Sequence, residues 1–244
     1  MYRDPSSESA GHGPSYADSY AAAWDRAFGR LEGESLLEAM ITRVFPDRIA
    51  LVSSFGAEAA VLLDMVARID RSVPILFLDT GKHFDATLTY RDILARRFGF
   101  TDLRNLRPDP DSLRQADPDG TLHRHDPDLC CHLRKVVPLE RALGGFGAWI
   151  TGRKRFQGAD RSRLAPIEAV DGRVKVNPLA GWSAEQVDDA FRHRNLPRHP
   201  LFDDGYASIG CAPCTRRVLA GEDARSGRWA GLGKTECGIH RAAG

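Results

Sequence analysis

No stretch of this 244-residue chain approaches the roughly 18 consecutive apolar residues that a membrane-spanning helix needs. Its opening, "MYRDPSSESAGHGPSYADSY", lacks the basic start and apolar run of a secretory signal. An excess of either charge is also missing. The 34 Lys and Arg against 33 Asp and Glu leave a formal net charge of +1, which gives no support to a nucleic-acid or membrane partner. No internal repeat is present, and no Gly-Lys-Ser/Thr follows "SSFGAE" to make it a Walker phosphate loop. Cysteine is scarce and odd in number, at five, so a disulfide framework is a poor account of it. These absences point to a cytoplasmic protein acting on a small molecule.

What is present reads as one α/β unit. Residues 1–19, rich in Ser, Gly, Pro and Asp, are expected to be a disordered arm, residues 20–220 the folded domain and residues 221–244 a C-terminal tail. Apolar residues from Ala21 to Phe45 recur at helical spacing, in two helices broken near Gly33. Strands over "RIALVSSF", "PILFLDT", "TDLRNLR" and "AWITG" then alternate with helices over "AEAAVLLDMVARI", "DATLTYRDILARRFG" and "CCHLRKVVPLERALG". The last of these helices is interrupted or started near Pro138, and "IEAVDGRVKVNPL" is a hairpin turning at Asp171-Gly172. Such alternation implies right-handed crossovers and a mostly parallel sheet flanked by helices.

In sheets of this kind ligands bind beyond the carboxyl ends of the strands. Those positions hold "SSFGAE", "LDTGKHF" and "TGRKRFQGADRSR". In the first, Gly56 lets backbone N–H groups approach an anionic or nucleotide ligand, and Ser53 and Ser54 add hydroxyls. A capped strand-to-helix turn is the plainer account of that stretch. Basic residues crowd the same neighbourhoods: Arg134 and Lys135 beside the cysteine pair, Arg153, Lys154, Arg155, Arg161 and Arg163 after the fourth strand, Arg216 and Arg217 after Cys214, and Arg225 and Arg228 further on. In a nearly neutral chain this local excess suggests a multiply charged anionic small molecule.

The cysteines divide as four plus one. Adjacent Cys130 and Cys131, with Cys211-x-x-Cys214, supply the four soft ligands that a zinc ion or an iron-sulfur cluster requires. Adjacent ligands reach one small ion poorly and a larger cluster more easily, so the spacing favours the cluster while zinc and a metal-free set stay open. Cys237, in "KTECGIH", sits in a polar tail where a packing cysteine is out of place.

These blocks together resemble the assimilatory adenylyl-sulfate reductases, the cluster-containing branch of the phosphosulfate reductase family, which has an adenine-nucleotide alpha-hydrolase-like fold. The similarity runs from about Arg48 to His240, through "SSFGAEAAVLLDM", "FLDTGKHFDATLTYRD", "CCHLRKVVPLERAL", "WITGRKRFQGADRSR", "VKVNPLAGWSAEQV", "SIGCAPCTR" and "KTECGIH". The resemblance implies a [4Fe-4S] cluster held by Cys130, Cys131, Cys211 and Cys214, and Cys237 as the nucleophile. It also implies that Lys135, Arg161, Arg225 and Arg228 grip the phosphosulfate, while Ser53, Ser54, Gly56, Leu78 and Gly152 hold the adenosine. The reaction so implied is reduction of adenosine 5'-phosphosulfate to sulfite and AMP through a Cys237 S-sulfonate, with thioredoxin or a glutaredoxin-like protein as the external thiol. The residues leave open whether the chain acts alone or as a homo-oligomer. Two rivals are weaker. A tRNA-activating ATP pyrophosphatase needs a Ser-Gly-Gly-x-Asp-Ser loop that "SSFGAEA" lacks, and a zinc-stabilised binding module leaves "KTECGIH" without a purpose.

Overall fold

The computed structural model describes residues 16–158, 161–219 and 221–240. In chain order the elements are α1 (Tyr16–Phe28), α2 (Gly33–Glu38), β1 (Ile49–Ser53), α3 (Ala59–Ile69), β2 (Ile75–Leu78), α4 (Asp85–Phe98) and β3 (Leu103–Leu106). There follow α5 (Pro110–Ala116), α6 (Leu122–His125), α7 (Pro127–Cys131), α8 (Val137–Ala142), β4 (Ala148–Ile150), β5 (Ile167–Val170), β6 (Arg173–Val176) and α9 (Ala184–His193). The arm expected over residues 1–19 lies outside the described residues up to position 15, and α1 already begins at Tyr16.

The six strands order as β3-β2-β1-β4-β6-β5, all parallel except the β5–β6 hairpin. The mostly parallel α/β sheet expected from the alternation of patterns is therefore what forms. Alternation along each strand builds two cores. Ile49 and Leu51 of β1, Ile75 and Phe77 of β2, and Ala148 and Ile150 of β4 face the larger core under α1, α3 and α9. Their neighbours Ala50, Val52, Leu76, Leu78 and Trp149 face a smaller core completed by Leu139 of α8 and by Leu143. Burial on both faces is why these strands read as continuous apolar runs.

The chain passes from β1 outward to β2 and β3, then returns to the other side of β1 as β4. The order thus reverses between β1 and β4, and a crevice opens there at the strand carboxyl ends. The helix containing the cysteine pair continues from α7 through a π turn, His132–Val136, into α8. Pro138 has no N–H to give the carbonyl of Arg134, so the interruption expected near it appears as this widened turn, and Lys135 rides on it. Three helical stretches escaped the sequence reading: α5, begun by Pro110 with Asp109 as its cap, the short α6, and α9, opened by a reciprocal Ser183–Gln186 capping box.

Candidate active site

Beyond the ends of β1, β2 and β4 lies a cavity of about 220 Å3. Its lining includes Ser53, Ser54, Gly56, Leu78, Lys135, Gly152, Arg161, Arg225, Arg228 and Cys237, so the residues expected to bind substrate and the expected nucleophile share one space. The Ser53 hydroxyl accepts from the Phe55 N–H at 3.1 Å, which turns it toward its own loop. Phe55 adopts a left-handed φ of 49° and is wholly buried against Phe77, and this anchors the turn that leads to Gly56. A Cβ at Gly56 would press on the Ile209 carbonyl at 3.0 Å, and one at Gly210 would overlap the Arg228 guanidinium. Glycine at both positions lets the cavity wall close around the ligand space.

Not every basic residue singled out for an anion reaches the cavity. Arg134 turns away to donate to the Thr80 carbonyl at 2.8 Å and to Asp117 at 2.6 Å. Arg155 donates to the Leu164 carbonyl, and Arg216 pairs with Glu222 on the surface. Arg163 is exposed. Among those that remain, Lys154, Arg161 and Arg225 are tied into a network the sequence did not disclose. Buried Lys154 donates to Glu58 at 2.7 Å, Gln157 donates to the same Glu58 oxygen at 2.6 Å, and Arg161 donates to Gln157 Oε1 at 2.6 Å. Arg161 then pairs through Nε with Glu236, whose second oxygen lies 3.3 Å from Arg225. Glu58, Lys154 and Gln157 lie inside the stretches quoted for the strand ends, and only their partners were invisible.

The tail is held on both sides of Cys237. Lys234, its side chain 3% exposed, pairs with Asp128 of α7, and His240 packs on Trp149. Trp229, also at a left-handed φ of 49°, is buried with Arg228 at 4.5 Å from its ring centre and Arg225 and Lys234 at 5.9 Å. Burial, followed by the charges of Lys175, Arg153, Arg161 and Arg225, holds the His240 imidazole well below its ordinary range, so it is neutral. Ligand atoms of Glu236, Cys237 and His240 lie within 4.8 Å of one another. The same ring of cations opposes a divalent ion there, and Glu236 is already bound by two guanidinium groups.

Below the main cavity a second, smaller one is lined by Cys130, Cys131, Cys211 and Cys214 together with Lys82, Arg134 and Lys135. The sequence set these cysteines about eighty positions apart, and the fold brings them to one place by laying Cys211 against the loop after β2. His83 bridges to Cys211, Ala212 N–H donates to the Lys82 carbonyl at 2.7 Å, and Thr80 Oγ1 lies 3.3 Å from Cys211 Sγ. All five cysteines are free thiols. Burial, with the neighbouring thiols adding to it, raises Cys130 to about 11 and lifts Cys131 and Cys214 above the ordinary range. Burial acts the same way on Cys211, but Lys135, Thr80 and Arg228 outweigh it and lower that thiol. Four soft donors that resist joint ionisation without a counter-charge, ringed by cations, fit a thiolate-ligated group of net negative charge.

One buried residue was not foreseen. Lys175 of β6 is 0% exposed, its Nζ has no hydrogen-bond partner among the described residues, and it lies 4.7 Å from the centre of the Trp149 ring. An alternating hairpin strand gives no sign that Lys175 is sealed from water while Arg173, two positions earlier, is only half-buried.

The sequence pattern of the phosphoadenosine phosphosulfate reductase domain matches residues 48–217. An adenosine 5'-phosphosulfate reductase of Mesorhizobium japonicum is 51% identical over 220 residues, covering 90% of this chain and 87% of that protein. A phosphoadenosine 5'-phosphosulfate reductase of Gloeobacter violaceus is 42% identical, covering 88% and 91% respectively. Among solved structures, a phosphoadenylyl-sulfate reductase from Candida auris, a phosphate complex, superposes with a TM-score of 0.67 at 27% identity over 81% of this chain and 97% of that one. The resemblance drawn from the motifs is thereby borne out: this chain is an enzyme that belongs to the phosphoadenosine phosphosulfate reductase family.

Proposed function

We propose that the protein reduces adenosine 5'-phosphosulfate to sulfite and AMP, with Cys237 as nucleophile. The observation that carries this reading is that Cys237 lines the same cavity as Lys135, Arg161, Arg225 and Arg228. A thiolate and an anionic phosphosulfate repel each other in water, and their meeting requires fixed cations around them. Ser53, Ser54, Gly56, Leu78 and Gly152, at the strand ends, take the adenosine.

The Cys237 thiolate attacks the sulfate sulfur. A sulfur–sulfur bond forms, the bond from that sulfur to the bridging oxygen breaks, and the electron pair leaves on AMP. The phosphate of AMP has a second pKa near 6, so it departs without a strong acid. Arg225 and Arg228 balance the charge gathering on that phosphate. An external thiolate then attacks Cys237 Sγ and expels sulfite. A second thiol of the donor resolves the mixed disulfide, which returns Cys237 and leaves the donor oxidised. A dithiol protein of the thioredoxin or glutaredoxin kind, in the cytoplasm, meets that requirement.

Cys237 is 9% exposed, so the second attack needs the segment from Lys234 to His240 to leave the cavity. Exposed Gly231 and Gly233, both at left-handed φ, are its hinge. Cys130, Cys131, Cys211 and Cys214 would hold a [4Fe-4S] cluster. When bound it supplies a crosslink between α7 and the 211–214 turn and a fixed charge beside Lys135.

The test is incubation with adenosine 5'-phosphosulfate and no reductant, then mass analysis of the Cys237 peptide, and sulfite assay with reduced thioredoxin for that substrate and its 3'-phosphorylated form. The expected result is one SO3 group on Cys237 and sulfite only when thiol is added. A peptide of unchanged mass defeats the reading.

A further inference from the structure

Arg161 and Arg225, two of the groups assigned above to the phosphosulfate, are not free. The carboxylate of Glu236 lies between them, paired to Arg161 Nε through one oxygen and 3.3 Å from Arg225 through the other. The arrangement is nearly sealed, with side-chain exposures of 8% for Arg161, 16% for Arg225 and 15% for Glu236. Gln157 orients Arg161 from behind, and the Thr235 carbonyl accepts from Arg225 at 2.7 Å, so the two guanidinium groups are aimed before any ligand arrives. Burial and the nearby Arg161 pull Arg225 down to about 10, and Glu236 works in the opposite direction. Two buried cations facing one space need an anion, and this chain provides its own.

We propose that Glu236 is a specificity-determining residue that fills the arginine fork when the site is empty, so that only a ligand bearing an anionic group at that position displaces it. This rests on the reading of the cavity as the phosphosulfate site. The exchange conserves charge, because one carboxylate leaves as one sulfate or phosphate group enters. It is also local. Lys234 is clasped to Asp128 on one side and His240 is packed on Trp149 on the other, so the Glu236 side chain can turn away while Cys237 stays in the cavity. An intramolecular competitor acts at high effective concentration, so it weakens every ligand for the fork, and a weakly charged ligand fails where a doubly charged one succeeds.

The experiment compares Cys237→Ser, which binds without turnover, with the double variant Cys237→Ser/Glu236→Gln by titration calorimetry. Adenosine 5'-phosphosulfate and uncharged adenosine are the two probes. Removing the competing charge is expected to tighten adenosine 5'-phosphosulfate by about fivefold, within the span set by effective concentration, and to leave adenosine unchanged. Equal or weaker binding of adenosine 5'-phosphosulfate by the double variant overturns the proposal, as does equal tightening of adenosine. If adenosine 5'-phosphosulfate binds neither protein, the functional reading itself falls, and this inference falls with it.

Discussion

The imidazole of His240 lies parallel to the indole of Trp149, with ring centres 6.2 Å apart and planes 3° from coplanar directions. Trp149 belongs to β4, which is paired on both sides within the sheet, so this contact ties the segment carrying Cys237 to the interior of the sheet. His240 is neutral because burial and surrounding cations disfavour its charge, and the contact is therefore one of ring on ring. Aromatic pairs contribute about 0.5–1.5 kcal/mol beyond their buried area. His240→Ala should lower kcat/KM about three- to tenfold by making the docked tail less populated, and should leave the thermal midpoint nearly unchanged. Steady-state sulfite release and a melting curve check both, and an unaltered kcat/KM would show that the stack does not position Cys237.

Gly210 stands where any side chain would meet the Arg228 guanidinium. Its backbone N–H donates to Thr215 Oγ1 at 3.3 Å, and the tight turn before Cys211 depends on it. Gly210→Ala should push Arg228 aside, since the far end of a flexible side chain moves more readily than backbone. One charge-assisted bond, about 1.5–3 kcal/mol, is then weakened, and KM should rise on the order of tenfold with a smaller change in kcat. Kinetics at varied substrate concentration separate the two parameters, and a fall confined to kcat would place Arg228 away from the bound ground state.

Much of this was legible before the fold was known, for identifiable reasons. The strands β1, β2 and β4 are buried on both faces, so "IALVS", "ILFL" and "AWI" stand out as apolar runs between polar turns, and the site residues follow from where such runs end. Cysteine is rare enough that Cys130, Cys131, Cys211, Cys214 and Cys237 identify themselves. What stayed hidden is pairing. Arginine and lysine look alike in a sequence whether they line an open cavity, as Arg228 does, or face a neighbour's carboxylate, as Arg134 faces Asp117. The part played by Glu236 stayed hidden as well, because nothing in "KTECGIH" tells that a loop seventy-odd positions earlier delivers Arg161 to it.

The Asp128–Lys234 pair joins the helix that ends in Cys130 and Cys131 to the tail that carries Cys237. If those cysteines hold a cluster, its removal should loosen α7, the opening segment of the helix that continues into α8, and release Lys234, because the cluster would tie that segment to the 211–214 turn. Anaerobic chelation of iron should then speed proteolytic cutting near Gly231 and Gly233 several-fold while cutting elsewhere in the sheet domain is unchanged. Limited digestion followed by mass analysis of the fragments decides this. Equal cutting before and after iron loss would mean that the tail and the cysteine site are mechanically independent.

Lys175 offers a test in which stability, not turnover, is the reading. Burial and the nearby Arg153 guanidinium push its ammonium down to about 7, with Glu168, Cys237 and Glu236 pulling the other way. In the unfolded chain the same amine titrates near 10.4. Between those two values the unfolded chain holds the proton and the folded one does not, so stability must rise with pH across that window, and the penalty is present in full below pH 7. Lys175→Met keeps the length of the side chain and removes the charge. The variant should exceed the parent in stability at pH 6 by an amount on the order of 2–4 kcal/mol, and the gap should close as the pH approaches 10. Denaturant titrations at pH 6, 8 and about 10 measure it. A methionine variant less stable than the parent at pH 6 would mean that the buried ammonium is compensated by a partner, and that its place beneath Trp149 costs the fold nothing.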